Sequence, residues 1–320
     1  MASDTRECAV RRSLLCGAVL ILTAFTATTG MAAADAPDGP APIEAPESWS
    51  ADGDLVPAPP GANDWSCRPS VAHPRPIVLA HGIYENRLGS WLAMSPALTA
   101  AGYCVYALDY GRGLGGVISG VGSVSVSAEE ISAFTDRVLA ATGAQQVDFV
   151  GHSLGGVLPR YYMKFLGGAN KVNTLVGIAP DNHGTTWGLF GPPTTLSAST
   201  LSAGPTALCP ACIQQLPDSE FFRELNRDGE TLPDINYTVI ATRTDEFATP
   251  YTTGFLPPGP NVENITLQDV CPSDLSEHMA LTLDPVVIRM VLNALDPAHR
   301  APIDCGGPRF DSIAGEQGPR

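Results

Sequence analysis

An apolar run, Val147–Val150, leads directly into the pentapeptide Gly-His-Ser-Leu-Gly at residues 151–155. The two glycines permit a turn that is too tight for residues carrying a Cβ atom. A helical stretch, Leu154–Phe165, follows the turn. A strand, a sharp turn and a helix in this order would hold the hydroxyl of Ser153 clear of the backbone in a strained, exposed position. The pattern predicts that Ser153 is a nucleophile; the alternative is an ordinary glycine-rich turn after a strand.

Short β-rich runs alternate with helical ones on both sides of this turn. The predicted strands are Ile77–Ala80, Cys104–Leu108, Val147–Val150, Leu175–Ala179, Tyr237–Ala241 and Ile265–Gln268. The predicted helices are Ser90–Ala100, Ala128–Thr142, Leu154–Phe165, Ser219–Leu225 and Pro285–Leu295. Ser127 and Glu130 form a capping-box pattern at the start of the second helix. Apolar strands separated by helices predict a mostly parallel sheet with helices on both faces, which with the serine turn indicates an α/β-hydrolase fold.

The two ends of the chain differ in composition from its middle. Residues 1–34 have the order of a secretory signal peptide: arginines, an uncharged apolar stretch at Leu14–Phe25, and small residues. That apolar stretch is too short for a comfortable membrane span. The Pro- and Ala-rich residues 35–64 are expected to form a leader, residues 65–308 the folded domain, and residues 309–320 a disordered tail. We therefore expect a secreted protein without a stable membrane anchor.

Of the eight cysteines, Cys8 and Cys16 lie in the predicted signal, so six remain. An even number in an exported chain predicts disulfides, although six cysteines permit several pairings. The expected pairs are Cys67–Cys104, Cys209–Cys212 and Cys271–Cys305. Cys209-Pro210-Ala211-Cys212 could instead be a redox pair, but no βαβ pattern precedes it. A zinc site is equally weakly indicated, because no His lies at ligand spacing. No metal site is predicted.

The formal net charge of −15 bears on the partners of this protein. An acidic surface argues against binding of nucleic acid and of anionic membranes. Residues 65–308 are long enough for one large α/β domain with a developed core. We expect a monomer.

The segment Gly184–Pro217 interrupts the alternation of strands and helices. It is long and rich in Thr, Ser, Gly and Pro, and it also carries large apolar residues. Long loops in compact domains are usually functional or disordered. We expect a cap over the active site, with Trp187, Leu189 and Phe190, together with Tyr84, contacting the substrate. The alternative is a surface excursion folded on its own cysteine pair.

A serine hydroxyl needs a base to accept its proton and an acid to hold that base. In this fold the three residues follow in the order Ser, acid, His, each at the carboxyl end of a strand. Asp245 follows the strand Tyr237–Ala241, and His278 lies between the last strand and the last helix. Asp245 and His278 are therefore the predicted acid and base.

Other residues satisfy the same order less well. Asp181 is the chief rival for the acid, since some hydrolases use an acid one strand earlier. Glu246 is adjacent to Asp245 but would point away from the site. His183 is expected to shape the hinge of the cap, and His299, near the tail, reads as a surface residue.

The oxyanion formed during ester cleavage needs two hydrogen-bond donors from the main chain. In this fold one is the N–H of the residue after the nucleophile, here Leu154. The other comes from a loop after an early strand, where His81 and Gly82 precede Ile83. We therefore predict that Ile83 and Leu154 form the oxyanion hole.

Several long segments run in order from about Pro76 to Cys305. They are His81-Gly82-Ile83-Tyr84-Glu85-Asn86-Arg87, Tyr103-Cys104-Val105-Tyr106-Ala107-Leu108-Asp109-Tyr110-Gly111, Gly151-His152-Ser153-Leu154-Gly155-Gly156, Ile178-Ala179-Pro180-Asp181-Asn182-His183-Gly184-Thr185-Thr186, Tyr237–Thr242 with Asp245, and Asp274-Leu275-Ser276-Glu277-His278. Together these segments resemble the secreted actinobacterial lipases of the class 2 lipase family. The resemblance implies an exported triacylglycerol lipase or carboxylesterase without an organic cofactor. It also implies the roles of nucleophile, acid and base for Ser153, Asp245 and His278, and the oxyanion role for Ile83 and Leu154.

The expected function is cleavage of carboxylic esters of lipids through an acyl-enzyme, with transient contact at a lipid interface. An acyltransferase or a polyester depolymerase could use the same three residues. An inactive hydrolase fold that serves as a binding protein is the alternative from another class.

Overall fold

A six-stranded sheet forms the centre of the chain in this computed structural model, which describes residues 55–113, 115–188 and 209–306. All neighbouring strands pair in parallel in the order β2-β1-β3-β4-β5-β6. The strands are β1 (Ile77–Ala80), β2 (Val105–Leu108), β3 (Val147–His152), β4 (Val172–Ile178), β5 (Asn236–Ala241) and β6 (Val262–Thr266). The sequence prediction of a mostly parallel sheet is confirmed.

Helices cover both faces of this sheet. They are α1 (Arg87–Ser90), α2 (Met94–Ala100), α3 (Val124–Thr142), α4 (Leu154–Phe165), α5 (Pro210–Gln214), α6 (Glu220–Asn226), α7 (Leu267–Val270) and α8 (Pro285–Leu295). Successive strand residues point to opposite faces. Accordingly, Val78 and Ala80 pack in a core with α3 and α4, whereas Ile77 and Leu79 pack in a second core with α2 and α8.

The start of α3 differs from the predicted capping box. The helix begins at Val124, so Ser127 lies inside it and is buried. The N–H of Val124 donates instead to the side chain of Gln214, 2.8 Å away in α5. Glu130 accepts the N–H of Gly111 at 2.8 Å and so fixes a loop instead of a helix end. The cap comes from a distant segment, which a local pattern cannot indicate.

Two other predicted elements differ in extent. Of the predicted helix Ser90–Ala100, Ser90 is the last residue of α1 and residues 94–100 form α2; the chain turns between them at Trp91, which is buried in the core. The predicted strand Ile265–Gln268 is displaced: β6 ends at Thr266 and α7 begins at Leu267.

Residues 55–64, which belong to the predicted leader, contact the domain. The side chain of Asn63 donates to the carbonyl of Ala107 at 2.9 Å and accepts its N–H at 2.7 Å. The carbonyl of Val56 accepts from the Arg87 guanidinium at 3.1 Å. Packing therefore begins before the predicted boundary at residue 65. The predicted signal peptide and tail, and residues 35–54 of the leader, lie outside the described residues.

Disulfides join the cysteines in the predicted pairing, Cys67–Cys104, Cys209–Cys212 and Cys271–Cys305. The first ties the entry segment to the residue before β2, and the last ties the end of the described chain to the residue after α7. Within the described ranges, no helix combines the length and the apolar character needed to cross a membrane.

A buried ion pair lies near the amino end of β3. Asp148 is 1% exposed, and both of its carboxylate oxygens accept from Arg75 Nε at 3.0 Å. Burial outweighs the attraction of Arg75 and raises the pKa of Asp148 from 3.8 to about 6. Between these values the folded protein keeps a proton that the unfolded chain has released, so this carboxyl reduces stability as the pH rises.

We therefore expect Asp148→Asn to remove one component of the pH dependence of unfolding. The free energy of unfolding of the wild type, relative to this variant, should fall by about 2.4 kcal/mol between pH 4 and pH 7, at about 1.4 kcal/mol for each pKa unit. Urea unfolding of both proteins at several pH values measures the difference. A difference that is constant, or that grows in favour of the wild type with pH, would contradict this.

Candidate active site

The predicted nucleophile sits at a strained turn between β3 and α4. Ser153 has φ 52° and ψ −125°, a region that residues with a side chain rarely adopt. Its N–H donates to the carbonyl of Ile178 at 2.9 Å, and its carbonyl accepts the N–H of Gly156 at 2.9 Å. The side chain is 6% exposed. The turn therefore holds Ser153 at the carboxyl edge of the sheet in the strained backbone that the sequence predicts, but the residue is buried, so the prediction of an exposed position is wrong.

Backbone contact around this turn excludes larger residues at its glycines. A Cβ atom on Gly151 would lie 2.0 Å from the carbonyl oxygen of Gly155. A Cβ atom on Gly155 would lie 2.0 Å from the carbonyl oxygen of Ala80, at the end of β1. Both distances are far below any real contact, so α4 can begin this close to β3 only because residue 151 is glycine, and this close to β1 only because residue 155 is glycine.

The loop after β1 carries the predicted oxyanion donor Ile83. It packs against the nucleophile, since a Cβ atom on Gly82 would lie 3.1 Å from Ser153 Cβ. Leu154 is the first residue of α4, where N–H groups have no partner within the helix. Among the described residues, neither the N–H of Ile83 nor that of Leu154 donates a hydrogen bond. Both donors are thus available beside Ser153.

His81 holds this loop in position through its ring and its main-chain carbonyl. Its Nδ1 is 2.7 Å from the carbonyl of Gly82, and its ring stacks on Tyr110 at 4.3 Å with nearly parallel planes. The Tyr110 hydroxyl donates to the carbonyl of His81. Burial, which outweighs the nearby carboxylates, lowers the pKa of His81. A neutral His81 therefore serves the shape of the loop.

Asp245 and His278 meet at the same edge of the sheet. Asp245 Oδ2 lies 2.9 Å from His278 Nδ1, and the two side chains are only 1% and 3% exposed. Asp245 Oδ1 accepts the N–H groups of Phe247 and Ala248 at 2.9 and 2.7 Å. A carboxylate with both oxygens held in this way fixes the orientation of the ring. Nδ1 then carries the proton, and Nε2 is left as the proton acceptor.

The loop that bears His278 is anchored to the loop that bears Asp245. The hydroxyls of Thr242 and Thr244 both donate to the carbonyl of Ser276 at 2.8 Å. The side chain of Gln268 donates to Thr242 Oγ1 at 2.8 Å. These bonds set the distance between the acid and base loops without help from the two catalytic candidates themselves.

The hydroxyl of Ser153 has no hydrogen bond to His278 among the described contacts. The two loops are linked instead through His152, the residue before the nucleophile. His152 Nε2 donates to the carbonyl of His278 at 3.0 Å, and the two rings are 4.7 Å apart. The structure therefore brings Ser153, Asp245 and His278 to one region, with the acid–base contact formed and the nucleophile–base contact open.

The rival residues have other partners. Both oxygens of the buried Asp181 lack a hydrogen bond within the described structure, and burial, with Asp245 nearby, raises its pKa well above 3.8. Glu246 accepts the backbone N–H of His278 at 3.3 Å and does not contact its ring. His183 contacts the carbonyl of Thr253 and the carboxylate of Glu230.

His299, the remaining downstream histidine, is exposed and pairs with Asp296 at 2.9 Å. It lies after α8, away from the loops described above.

The two described ends of the predicted cap flank this region. The N–H of Thr185 donates to the carbonyl of Gln215 at 2.8 Å, so the segment leaves and re-enters the domain at one place. On one side a Cβ atom on Gly188 would lie 2.5 Å from the carbonyl oxygen of Glu246, next to the acid loop. On the other side, Cys212 Sγ is 3.0 Å from the hydroxyl of Tyr84.

Of the predicted substrate contacts, Tyr84 is 56% exposed and Trp187 is buried. Tyr84 has a φ of 59° directly after the oxyanion candidate Ile83. Leu189 and Phe190 lie outside the described residues.

Sequence reasoning missed Glu85 and His152 as part of the site. His152 Nδ1 is 2.8 Å from Glu85 Oε1, deep beside the nucleophile turn. The available signal was an acidic residue within the His-Gly loop and an imidazole within the serine turn. The described residues contain no group of three or more His, Cys, Asp or Glu side chains that could hold a metal ion.

The parallel sheet, the serine turn and the acid and base loops define an α/β-hydrolase. Solved structures agree: Aspergillus fumigatus lipase B superposes with a TM-score of 0.60 at 19% identity, over 85% of this chain and 64% of that one. A Paleococcus ferrophilus monoacylglycerol lipase gives 0.51 at 17% identity, over 69% and 95%. The mature form of a Bacillus licheniformis lipase gives 0.51 at 12% identity, over 71% and 94%.

Sequence comparison is more specific. The family model for class 2 lipases matches residues 74–291, and the chain belongs to this family. A triacylglycerol lipase of Pseudarthrobacter phenanthrenivorans is 34% identical over 91 residues, which are 27% of this chain and 27% of that protein. A triacylglycerol lipase of Burkholderia plantarii is 34% identical over 91 residues, 27% and 24% of the two chains. The match thus spans about a quarter of each relative.

Gly155→Ala should disrupt the nucleophile turn, because the added Cβ would meet backbone atoms that cannot move without separating α4 from β1. We expect a loss of at least about 3 kcal/mol in the free energy of unfolding, or insoluble protein. Gly89→Ala is the matched control: its Cβ would meet only Asn86 Oδ1, at 3.5 Å. Urea unfolding of both variants is the measurement, and equal stabilities would contradict the analysis.

Proposed function

We propose that this protein is a secreted serine hydrolase that cleaves carboxylic esters of lipids, as a triacylglycerol lipase or carboxylesterase. The observation that carries the proposal is the contact of His278 Nδ1 with Asp245 Oδ2 at 2.9 Å, beside the strained turn that holds Ser153. The similarity to two triacylglycerol lipases supports the same chemistry.

Each residue has a defined part in the proposed reaction. Ser153 Oγ attacks the ester carbonyl carbon while His278 Nε2 accepts its proton. Asp245, held by three hydrogen bonds, keeps the proton of the imidazole on Nδ1 and stabilises the imidazolium that forms. The imidazolium then protonates the departing alcohol. Water activated by the same ring hydrolyses the acyl-enzyme and restores the serine.

The oxyanion that forms at the carbonyl oxygen accepts hydrogen bonds from the N–H groups of Ile83 and Leu154. Their freedom from other described partners supports this role. A single donor of this kind is worth about 3 kcal/mol of transition-state stabilisation. Because both donors belong to the main chain, the position of the loop matters more than the side chain of Ile83.

Closure of the contact between Ser153 and His278 completes the arrangement. In enzymes without substrate, catalytic hydrogen bonds are often open and tighten only in the complex. The base loop is anchored through Ser276 and the ring through Asp245, so the serine side chain is the group that reorients.

The cap segment 184–217 is proposed to shape the substrate site. Its described parts include Gly188, next to the carbonyl of Glu246, and Cys212, next to the hydroxyl of Tyr84. Trp187, Leu189 and Phe190 belong to this segment and, with Tyr84, supply apolar surface for an acyl chain. Secretion is supported by the disulfides, which persist in oxidising compartments.

Ser153→Ala should abolish ester cleavage while leaving the fold intact, since the change removes one hydroxyl at the surface of a pre-formed turn. We expect a loss of at least about 10⁴-fold in kcat for p-nitrophenyl esters. Labelling by a fluorophosphonate should be lost in the same variant.

Substantial turnover by the Ser153→Ala protein would refute the nucleophile assignment. A wild-type protein that neither turns over esters nor reacts with the fluorophosphonate would be the inactive binding protein. Transfer of the acyl group to an added alcohol in preference to water would identify an acyltransferase.

The two candidate acids can be separated by matched substitutions. Asp245→Asn should lower kcat by about 10³- to 10⁴-fold, because the amide no longer holds the required tautomer of His278. Asp181→Asn is isosteric and touches no histidine through a hydrogen bond, so kcat should stay within about tenfold of wild type. Steady-state kinetics on both variants measures these changes. A larger loss of kcat in Asp181→Asn than in Asp245→Asn would identify Asp181 as the acid.

A further inference from the structure

A second buried acid–imidazole pair lies beside the proposed catalytic one. His152 Nδ1 is 2.8 Å from Glu85 Oε1, and the two side chains are 1% and 8% exposed. His152 immediately precedes the nucleophile, and its other ring nitrogen, Nε2, is 3.0 Å from the carbonyl of His278. The proposed reaction uses neither Glu85 nor His152.

The contacts of His152 define its charge. A carbonyl oxygen only accepts, so Nε2 must carry a proton to donate to His278. Nδ1 faces a carboxylate at 2.8 Å, a position that favours a second proton on the ring. Burial lowers the pKa of His152, but Glu85, the carbonyl of His278 and Asp245 together outweigh burial and raise it. Burial raises the pKa of Glu85, but His152 and the hydrogen bonds from Ser90 and Gly82 together outweigh burial and lower it to about 2. The two groups thus lie at ion-pair distance, and each favours the charged form of the other.

Glu85 also holds the oxyanion loop. Its Oε2 accepts the N–H of Gly82 at 3.0 Å, directly before the proposed donor Ile83. The hydroxyl of Ser90, in α1, donates to the same oxygen. The carboxylate therefore fixes the position of the peptide that precedes the donor.

The pair thus connects three loops that are far apart in the sequence. Glu85 belongs to the loop after β1, His152 to the nucleophile turn, and the carbonyl that His152 binds belongs to the base loop. The other charged or titratable groups that act on His152 are Asp245 and His81, and Asp181 is in turn affected by it. All of them lie on the same edge of the sheet.

A buried ion pair is a weak source of net stability, because desolvation offsets most of the attraction between its charges. The effect of such a pair on the positions of neighbouring groups can be larger than its effect on stability. A misplacement of about 1 Å in a catalytic group can reduce the rate roughly 100-fold.

We propose that Glu85 and His152 are positioning residues, which set the oxyanion donor of Ile83 and the ring of His278 at their working distances from Ser153. This inference rests on the proposed function. The pair is proposed to stabilise the transition state by holding these groups in place. This role is separate from any contribution of the pair to packing.

The test uses Glu85→Gln, His152→Gln and the double variant in the full-length protein. The number of active sites is first counted by complete reaction with a fluorophosphonate, so that misfolded protein does not enter the rate. We then measure kcat for each titrated site, KM, and the inhibition constant of a trifluoromethyl ketone, which forms a tetrahedral oxyanion on serine.

Both single variants should lower kcat by roughly 10- to 100-fold, with KM changed by less than about threefold. The inhibition constant of the ketone should rise by the factor by which kcat/KM falls. Because the two residues act as a unit, the double variant should lose no more than the worse single variant.

Asp148→Asn is the matched control. It removes the carboxylate of another buried ion pair, near the other end of the same strand β3, and touches none of the three loops. Its kcat for each titrated site should equal that of the wild type, whatever its stability.

Ser90→Ala covers the case in which the Gln variants do not fold. It removes only the hydroxyl that donates to Glu85 and should lower kcat by about 2- to 5-fold at unchanged KM. The proposal is overturned if the folded variants keep the kcat of Asp148→Asn for each site. A wild-type protein without ester turnover would instead refute the proposed function, so the two failures are distinct.

Discussion

Steric exclusion at the serine turn is the constraint on which the site depends. The start of α4 can lie against β3 only because Gly151 carries no side chain, and against the end of β1 only because Gly155 carries none. The second contact brings the loop that follows β1 next to Ser153. The strained backbone of the serine is maintained by hydrogen bonds to β4 and to the first turn of the helix. Ser153 is therefore placed by the packing of regular elements, and the rigidity of the sheet is transmitted to its side chain.

Around this rigid turn, several buried carboxyl groups differ in their hydrogen-bond partners and in their electrostatic surroundings. Asp245 accepts three hydrogen bonds and orients the ring of His278. Glu85 is paired with an imidazole and fixes a loop. Asp181 has no partner for its carboxyl among the described residues, and burial favours its neutral form. Three carboxyl groups on one edge of the sheet thus differ in charge and role because their surroundings differ.

Much of this arrangement can be read from the sequence where the signal is local or follows from topology. Ser153 is recognisable because its glycines, strand and helix are contiguous, and Asp245 and His278 follow from the order of strands in the fold. The cap of α3 by Gln214 and the docking of Asn63 on β2 are contacts between distant segments, so local patterns misassign them. Glu85 and His152 escape notice for the same reason: each looks like an ordinary polar loop residue until folding pairs them.

The backbone hydrogen bond between Thr185 and Gln215 has a consequence for the evolution of such proteins. A stretch of chain whose ends coincide can be exchanged, lengthened or shortened while the strands keep their register, since the entropy of closing a loop grows only slowly with its length. Chimeras that exchange residues 186–208 between homologues keep Gln214 as the cap of α3 and should retain the stability of the recipient.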